Sequence, residues 1–241
     1  MSRQISEDFA VLVQFVKNYS LNNVEADAQY RASLKHGHSA YLSLLGMWSE
    51  IDRRLGLAPL PFLDRVFTNS DAAYDFLQEC VSDVASSLFC CIHGAYKPGH
   101  MALRSSIENF VRSVVAPFDK DVLTLTSVFE LFDRAKASAV FLNEDGKKAI
   151  STLQNSYRNL CKFSHSASLA HMEGVRSLQH FPTLDADVFS SWAKQVKAVT
   201  QAIAATMLSA SPNLYVSAHF SIKDIIDPLI TKEQRIRLMG G

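Results

Sequence analysis

The sequence predicts an all-α protein, and three observations carry the prediction. Apolar residues recur at three- and four-residue steps through most of the 241-residue chain. Stretches with the two-residue alternation of a half-buried strand are scarce. Residues that start helices, Ser, Asp, Asn and Thr, stand just ahead of several periodic segments. Helix-on-helix packing is the architecture that remains, and 48% apolar residues suffice for a substantial core.

The first element is amphipathic: behind Ser6, Glu7 and Asp8, the residues Phe9, Leu12, Val13 and Val16 share one face. In HSAYLSLLGMWSEIDRRLG, Tyr41, Leu44, Leu45, Trp48 and Ile51 line a side until Gly56 and the LAPLP stretch interrupt it. Gly37, flanked by His36 and His38, reads as a turn between helices. After TNSD, Ala73, Phe76, Leu77, Cys80, Val81, Val84, Leu88, Cys91 and Ile92 keep the helical period until Gly94. AYKPGH reads as a turn-rich link. MALRSSIENFVRSVVAP then places Leu103, Ile107, Phe110 and Val114 inward and Arg104, Glu108 and Arg112 on the flank, and Pro117 ends it.

Ser127 and Glu130 have capping-box spacing ahead of LFDRAKA, and Asn143 is placed to cap a helix from Glu144 to about His165. Asp185 precedes a helix holding Val188, Phe189, Trp192, Val196, Val199, Ile203 and Met207, with Pro212 just past its end. NLYVSAHFSI is compatible with a short strand or a loop, and Thr231 with Gln234 suggests a capping box for a last short helix. The resulting organisation is an N-terminal helical segment over 1–68 packed on the core, a bundle over 69–210, and a C-terminal extension over 211–241.

Lys plus Arg equals Asp plus Glu at 24 each, so no broad field draws a polyanion or an acidic membrane. Any nucleic-acid contact must be local. Cys80, Cys90, Cys91 and Cys161 form no C-x-x-C pair and read as reduced thiols. MSRQISEDFA lacks the order of a secretory signal, and no apolar run approaches the roughly 20 residues of a membrane span. These features point to the cytoplasm.

No Gly-rich phosphate loop and no G-x-S-x-G elbow occurs, although Ser164 and Ser166 flank His165. Cys90, Cys91, His93 and His100 invite a zinc reading, but residues 91 and 93 of one helix point about 160° apart. Buried core is the simpler role for Cys80 and Cys91, as it is for Trp48 and Trp192.

The segment GKKAISTLQNSYRNLCKFSH carries the most specific pattern. At about 100° per residue, Lys147, Ser151, Gln154, Arg158, Lys162 and His165 all fall within about 40° of Arg158, a polar stripe with no acid in it. Ile150, Leu153, Tyr157 and Leu160 lie on a separate apolar arc. Arg158 and His165, two turns and about 10.5 Å apart, are able to serve one phosphodiester. Arginine offers a permanent charge and a donor fork for phosphate oxygens, and histidine moves a proton near neutral pH. On periodicity alone, the stripe also describes a merely solvated helix surface.

Arg158, Asn159, five intervening residues and His165 resemble the signature of the HEPN superfamily, in which an arginine and a polar companion precede a histidine on a late helix of a bundle. LRSSIENFVR is similar to the Arg- and Glu-bearing helix often found before it, and the resemblance spans roughly residues 70–210. It implies a HEPN-like bundle with additional N-terminal helices. It also implies a metal-independent endoribonuclease without cofactors, often a homodimer with one composite site, and frequently a toxin or antiphage effector answering to an antitoxin or other regulatory protein.

Arg158 and His165 carry over as the catalytic pair and Asn159 as their companion. The family variant silenced by nucleotide transfer has a tyrosine two positions after the histidine, where this chain has Ala167. Lys162, Lys147 and Arg104 are the expected phosphate contacts. If the helix bearing Arg104 packs beside the motif helix, Glu108 is placed to orient Arg158 or His165. Otherwise Arg104, Glu108 and Arg112 form an ordinary surface ion-pair ladder. Some family members are non-catalytic binding modules, so a regulatory or scaffolding subunit is the rival expectation.

Overall fold

The computed structural model describes residues 27–55, 72–164, 172 and 181–239. The expected helix behind Ser6, the LAPLP and TNSD connections, His165 and Ala167 lie outside them. Every regular element among the described residues is helical: α1 (Ala28–Leu55), α2 (Ala72–Ile92), α3 (Tyr96–Val115), α4 (Val128–Ala137), α5 (Glu144–Ser164), α6 (Ala186–Ala210), α7 (Asn213–Val216), α8 (Phe220–Ile226) and α9 (Lys232–Leu238). Single 3-10 turns lie at Lys120–Leu123, Ala139–Phe141 and Asp227–Leu229.

The five long helices close a ring, in which α1 packs on α2, α2 on α3, α3 on α5, α5 on α6, and α6 back on α1. Leu44, Ile51, Leu77, Val84, Ile107, Phe110, Leu153 and Trp192 fill its interior, almost all without solvent contact. Burial of each such side chain contributes about 1.5–3 kcal/mol, which offsets the ordering of the chain. Among the described residues, no helix is long and apolar enough to cross a membrane.

Helix starts follow the sequence cues. Ser127 accepts from the Glu130 amide, the Asn143 side-chain oxygen accepts from the Gly146 amide, and Asp185 accepts from the amides of Asp187 and Val188. Thr231 and Gln234 complete a reciprocal capping box.

Three local expectations are corrected. Gly37 is not a turn: α1 runs through it, because a Cβ there would stand 2.6 Å from the Trp192 ring, and glycine lets α6 approach. His36 and His38 are exposed on either side. YKPGH is not a link but the first turn of α3. Pro98 sits where an amide has no intrahelical partner, and the Tyr96 hydroxyl anchors the turn by accepting from the Asp185 amide at 2.9 Å. NLYVSAHFSI is not a strand but α7, a short turn over Ser217, Ala218 and His219, and the start of α8, held by buried Leu214 and Tyr215 and by His219 accepting from the Ser221 amide.

Glu50 is a buried acid that periodicity did not single out. Only 3% of its side chain is exposed, with Arg54 Nε at 2.5 Å and Arg53 Nη2 at 2.8 Å. Arg54 also donates to the Asn213 carbonyl and the Ser217 hydroxyl, tying α7 to α1. Burial alone would raise the Glu50 carboxyl, but the hydrogen bonds and charges of both arginines outweigh it and hold the group below its usual range. A depressed folded pKa means the contribution is present above the unfolded value and is lost as pH falls through the folded one. Glu50→Gln is expected to cost about 1–3 kcal/mol in urea unfolding at pH 7, the worth of hydrogen bonds to a charged group. An unchanged midpoint would show that the arginines are satisfied elsewhere.

Candidate functional site

Helix α5 presents its apolar arc inward, with Ala149, Ile150, Leu153 and Leu160 buried and Tyr157 half-buried. The opposite consequence is that Lys147, Ser151, Arg158, Asn159 and Lys162 are exposed and Gln154 is half-buried. The stripe therefore reaches solvent, as its spacing predicts, over every position among the described residues. His165 follows immediately in sequence and lies outside them.

No carboxylate among the described residues neutralises the charges on this face. The acids of the first turn of α5 are engaged elsewhere: Glu144 pairs with Lys148 at 2.6 Å, and Asp145 with Arg237 at 2.7 Å. Among the described residues, Lys147, Arg158 and Lys162 have no carboxylate partner. Lys162 donates to the Asn159 side-chain oxygen at 3.1 Å, a contact that uses the acceptor of Asn159 and not its amide N–H donors. An exposed row of cations with no carboxylate partner among the described residues attracts phosphate at short range in a chain of zero net charge.

Arg104 and Glu108 project from α3 toward α5, but they meet Tyr157 rather than Arg158. The Arg104 guanidinium carbon lies 5.6 Å from the Tyr157 ring centre, and its Nε is 3.6 Å from a Glu108 oxygen. Burial first, and then the neighbouring Glu108 carboxylate, push the Tyr157 phenol well up, so it stays protonated. Phe132 of α4 packs on the same ring at 5.6 Å. Tyr157 is thus the brace that sequence reasoning missed, one residue before Arg158. The available signal was a tyrosine on an apolar arc, whose hydroxyl needs a partner once buried.

Arg112 departs from the flank role. It is 9% exposed and donates to the carbonyls of Val122 and Leu125, holding the Lys120–Leu123 turn against α3. It is structural, and the surface ladder reduces to the single Arg104–Glu108 pair.

Of the cysteines and histidines around α2 and α3, Cys80, Cys91 and His100 belong to the packed interior, while Cys90 and His93 are half-buried. Cys80 and Cys91 are buried, burial pushes the Cys80 and Cys90 thiols up, and among the described residues no three His, Cys, Asp or Glu side chains converge on a metal position. His100 has no solvent contact; its Nδ1 donates to the Tyr96 carbonyl at 2.7 Å, and its ring stacks on Phe163 at 3.9 Å. Burial lowers its pKa, against the opposing pull of the Tyr96 carbonyl.

The unfolded chain therefore takes up this proton first, and stability is lost as pH falls below about 6.5, until the folded form is protonated as well. His100→Phe is expected to reduce the fall in urea midpoint between pH 7.5 and 5.0. Equal falls in both proteins would remove His100 as the cause.

No protein-family model, curated protein or solved structure matches this chain. The site stands on its own geometry: a cationic face on a braced helix, with the arginine of the motif at the surface and free of carboxylates among the described residues. Such a face can hold consecutive phosphates.

Proposed function

We propose that the protein is a metal-independent endoribonuclease of HEPN type, and that Arg158 and His165 act on a phosphodiester laid along α5. The observation that supports this most is the unpaired cationic face of Lys147, Arg158 and Lys162 among the described residues. Arg158 binds the scissile phosphate through its fork and stabilises the charge that develops on it. The 2′-hydroxyl oxygen attacks phosphorus, the bond to the 5′-oxygen breaks, and one proton leaves the nucleophile as another reaches the leaving oxygen. His165 carries one of these transfers. Asn159 and Lys162 hold the neighbouring phosphate oxygens, and a homodimer doubles the cationic groups at the cleft. A toxin or antiphage role would follow from such an activity.

The test uses purified protein in EDTA with unstructured RNA and with the same sequence in DNA. RNA alone is expected to be cut, leaving a 2′,3′-cyclic phosphate and a 5′-hydroxyl. Absence of cleavage across a panel of RNAs overturns the catalytic reading, and RNA retained uncut would then identify a binding subunit.

A further inference from the structure

The first turns of α5 are built against the Ala139–Phe141 turn. A Cβ on Gly146 would stand 2.8 Å from the Phe141 Cα and from the Val140 carbonyl oxygen, so glycine is what lets this turn lie flush on the helix. The approach brings Lys136, at the end of α4, beside Lys147. Between them is a depression of about 250 Å³, in which buried Phe141 and Ile150 meet Lys136, Lys147, Ser151 and Gln154. Three of these residues belong to the face that carries Arg158.

Two ammonium groups from different helices, a hydroxyl and a carboxamide make a donor-rich hollow that suits an oxyanion. Among the described residues, the only acid paired with them is Asp133, 3.5 Å from Lys136, and both of those side chains are about half exposed, so the pair yields to a stronger partner at little cost. The volume lies below the roughly 300–1,000 Å³ of pockets for drug-sized ligands, which favours a phosphate group over a whole nucleotide. Lys147 and Arg158 are about 16 Å apart along the axis, the reach of a short run of extended nucleotides. A single row of cations follows one backbone, whereas a duplex presents two.

We infer that this depression is a second phosphate subsite, which holds a phosphodiester of single-stranded RNA running along α5 toward Arg158. The inference rests on reading the α5 face as an RNA surface.

Binding is measured by fluorescence anisotropy across a salt series, with a labelled 2′-O-methyl oligoribonucleotide whose blocked 2′-oxygen prevents cleavage. Lys136→Gln/Lys147→Gln is expected to bind several-fold more weakly. Its plot of log affinity against log salt should be flatter by about 1.4, or by about 0.7 for either single replacement, as each lost contact releases fewer counterions. Lys148→Gln, one residue off the face, should leave the slope unchanged.

A double variant with the wild-type slope overturns the subsite. So does a Lys148→Gln effect as large as that of Lys147→Gln. If Arg158→Ala weakens binding while the double variant does not, the subsite alone is wrong. If the wild-type protein fails to bind the oligonucleotide, the RNA reading of the face falls with it.

Discussion

His165→Ala is expected to slow RNA cleavage by about 10²–10⁴-fold, the range that a positioned general acid or base contributes. Arg158→Ala should cost about 10²–10³-fold, as loss of one charge-stabilising donor group does elsewhere. Arg158→Lys should recover only part of that loss, since a lysine restores the charge but not the planar fork. What makes the experiment readable is the exposure of Arg158 and its lack of a carboxylate partner among the described residues. An exposed side chain without such ties changes stability by no more than about 0.5 kcal/mol, so Arg158→Ala should melt with the wild-type protein while its activity collapses. Variants that cut RNA at the wild-type rate would remove both residues from the chemistry. An Arg158→Ala protein that melts early would show that the arginine is structural.

Trp192→Ala should destabilise the fold by about 3–5 kcal/mol, the cost of truncating a large buried aromatic. The residue has no solvent contact, stacks on Phe189 at 5.1 Å, and lies against the Gly37 face of α1. Its indole N–H donates to the Ser87 hydroxyl at 2.8 Å, and that hydroxyl donates to the Gly99 carbonyl at 2.7 Å. Truncation therefore opens a cavity among α1, α2 and α6 and leaves the Ser87 oxygen without its donor. For a protein of this size the melting temperature should drop by about 6–20 °C. Trp192→Phe keeps most of the packing and loses the hydrogen bond, so it should fall between. A loss below about 1 kcal/mol for Trp192→Ala would mean that the neighbouring helices collapse into the space.

The helices were legible in the sequence because their apolar faces repeat and their starts are chemically marked. Asp185, Ser127, Asn143 and Thr231 each cap the helix that they precede. What failed was local reading of residues whose role is tertiary. Gly37 looks like a turn until Trp192, 155 positions later in the chain, is seen to occupy the space that a side chain would need, in a contact no short window contains. YKPGH looks like a link because proline and glycine punctuate most chains, yet Tyr96 ties it to Asp185.

The site shows the same division. Exposure of Lys147, Arg158 and Lys162 followed from helical spacing, since the angular position of a residue is a local property. The partners of Arg104 and Glu108 did not, because the choice between Arg158 and Tyr157 depends on how α3 and α5 are rotated against each other. Arg112 was legible only as a charge; its burial comes from the turn that folds back over it.

The closure of the ring has a consequence for synthesis. Tyr30 stacks on Phe189 at 4.2 Å, and Gln29 donates to Asp187 across a separation of 158 residues. The first described helix is therefore covered by one that leaves the ribosome long after it. Until α6 emerges, Leu44, Met47 and Ile51 lack the full set of neighbours that buries them, while α2 and α3 can already pair as a local hairpin. A growing chain that stalls before residue 186 thus carries a greasy, unfinished flank, and the stretch of translation most exposed to clumping or chaperone capture is the interval between the third and sixth helices.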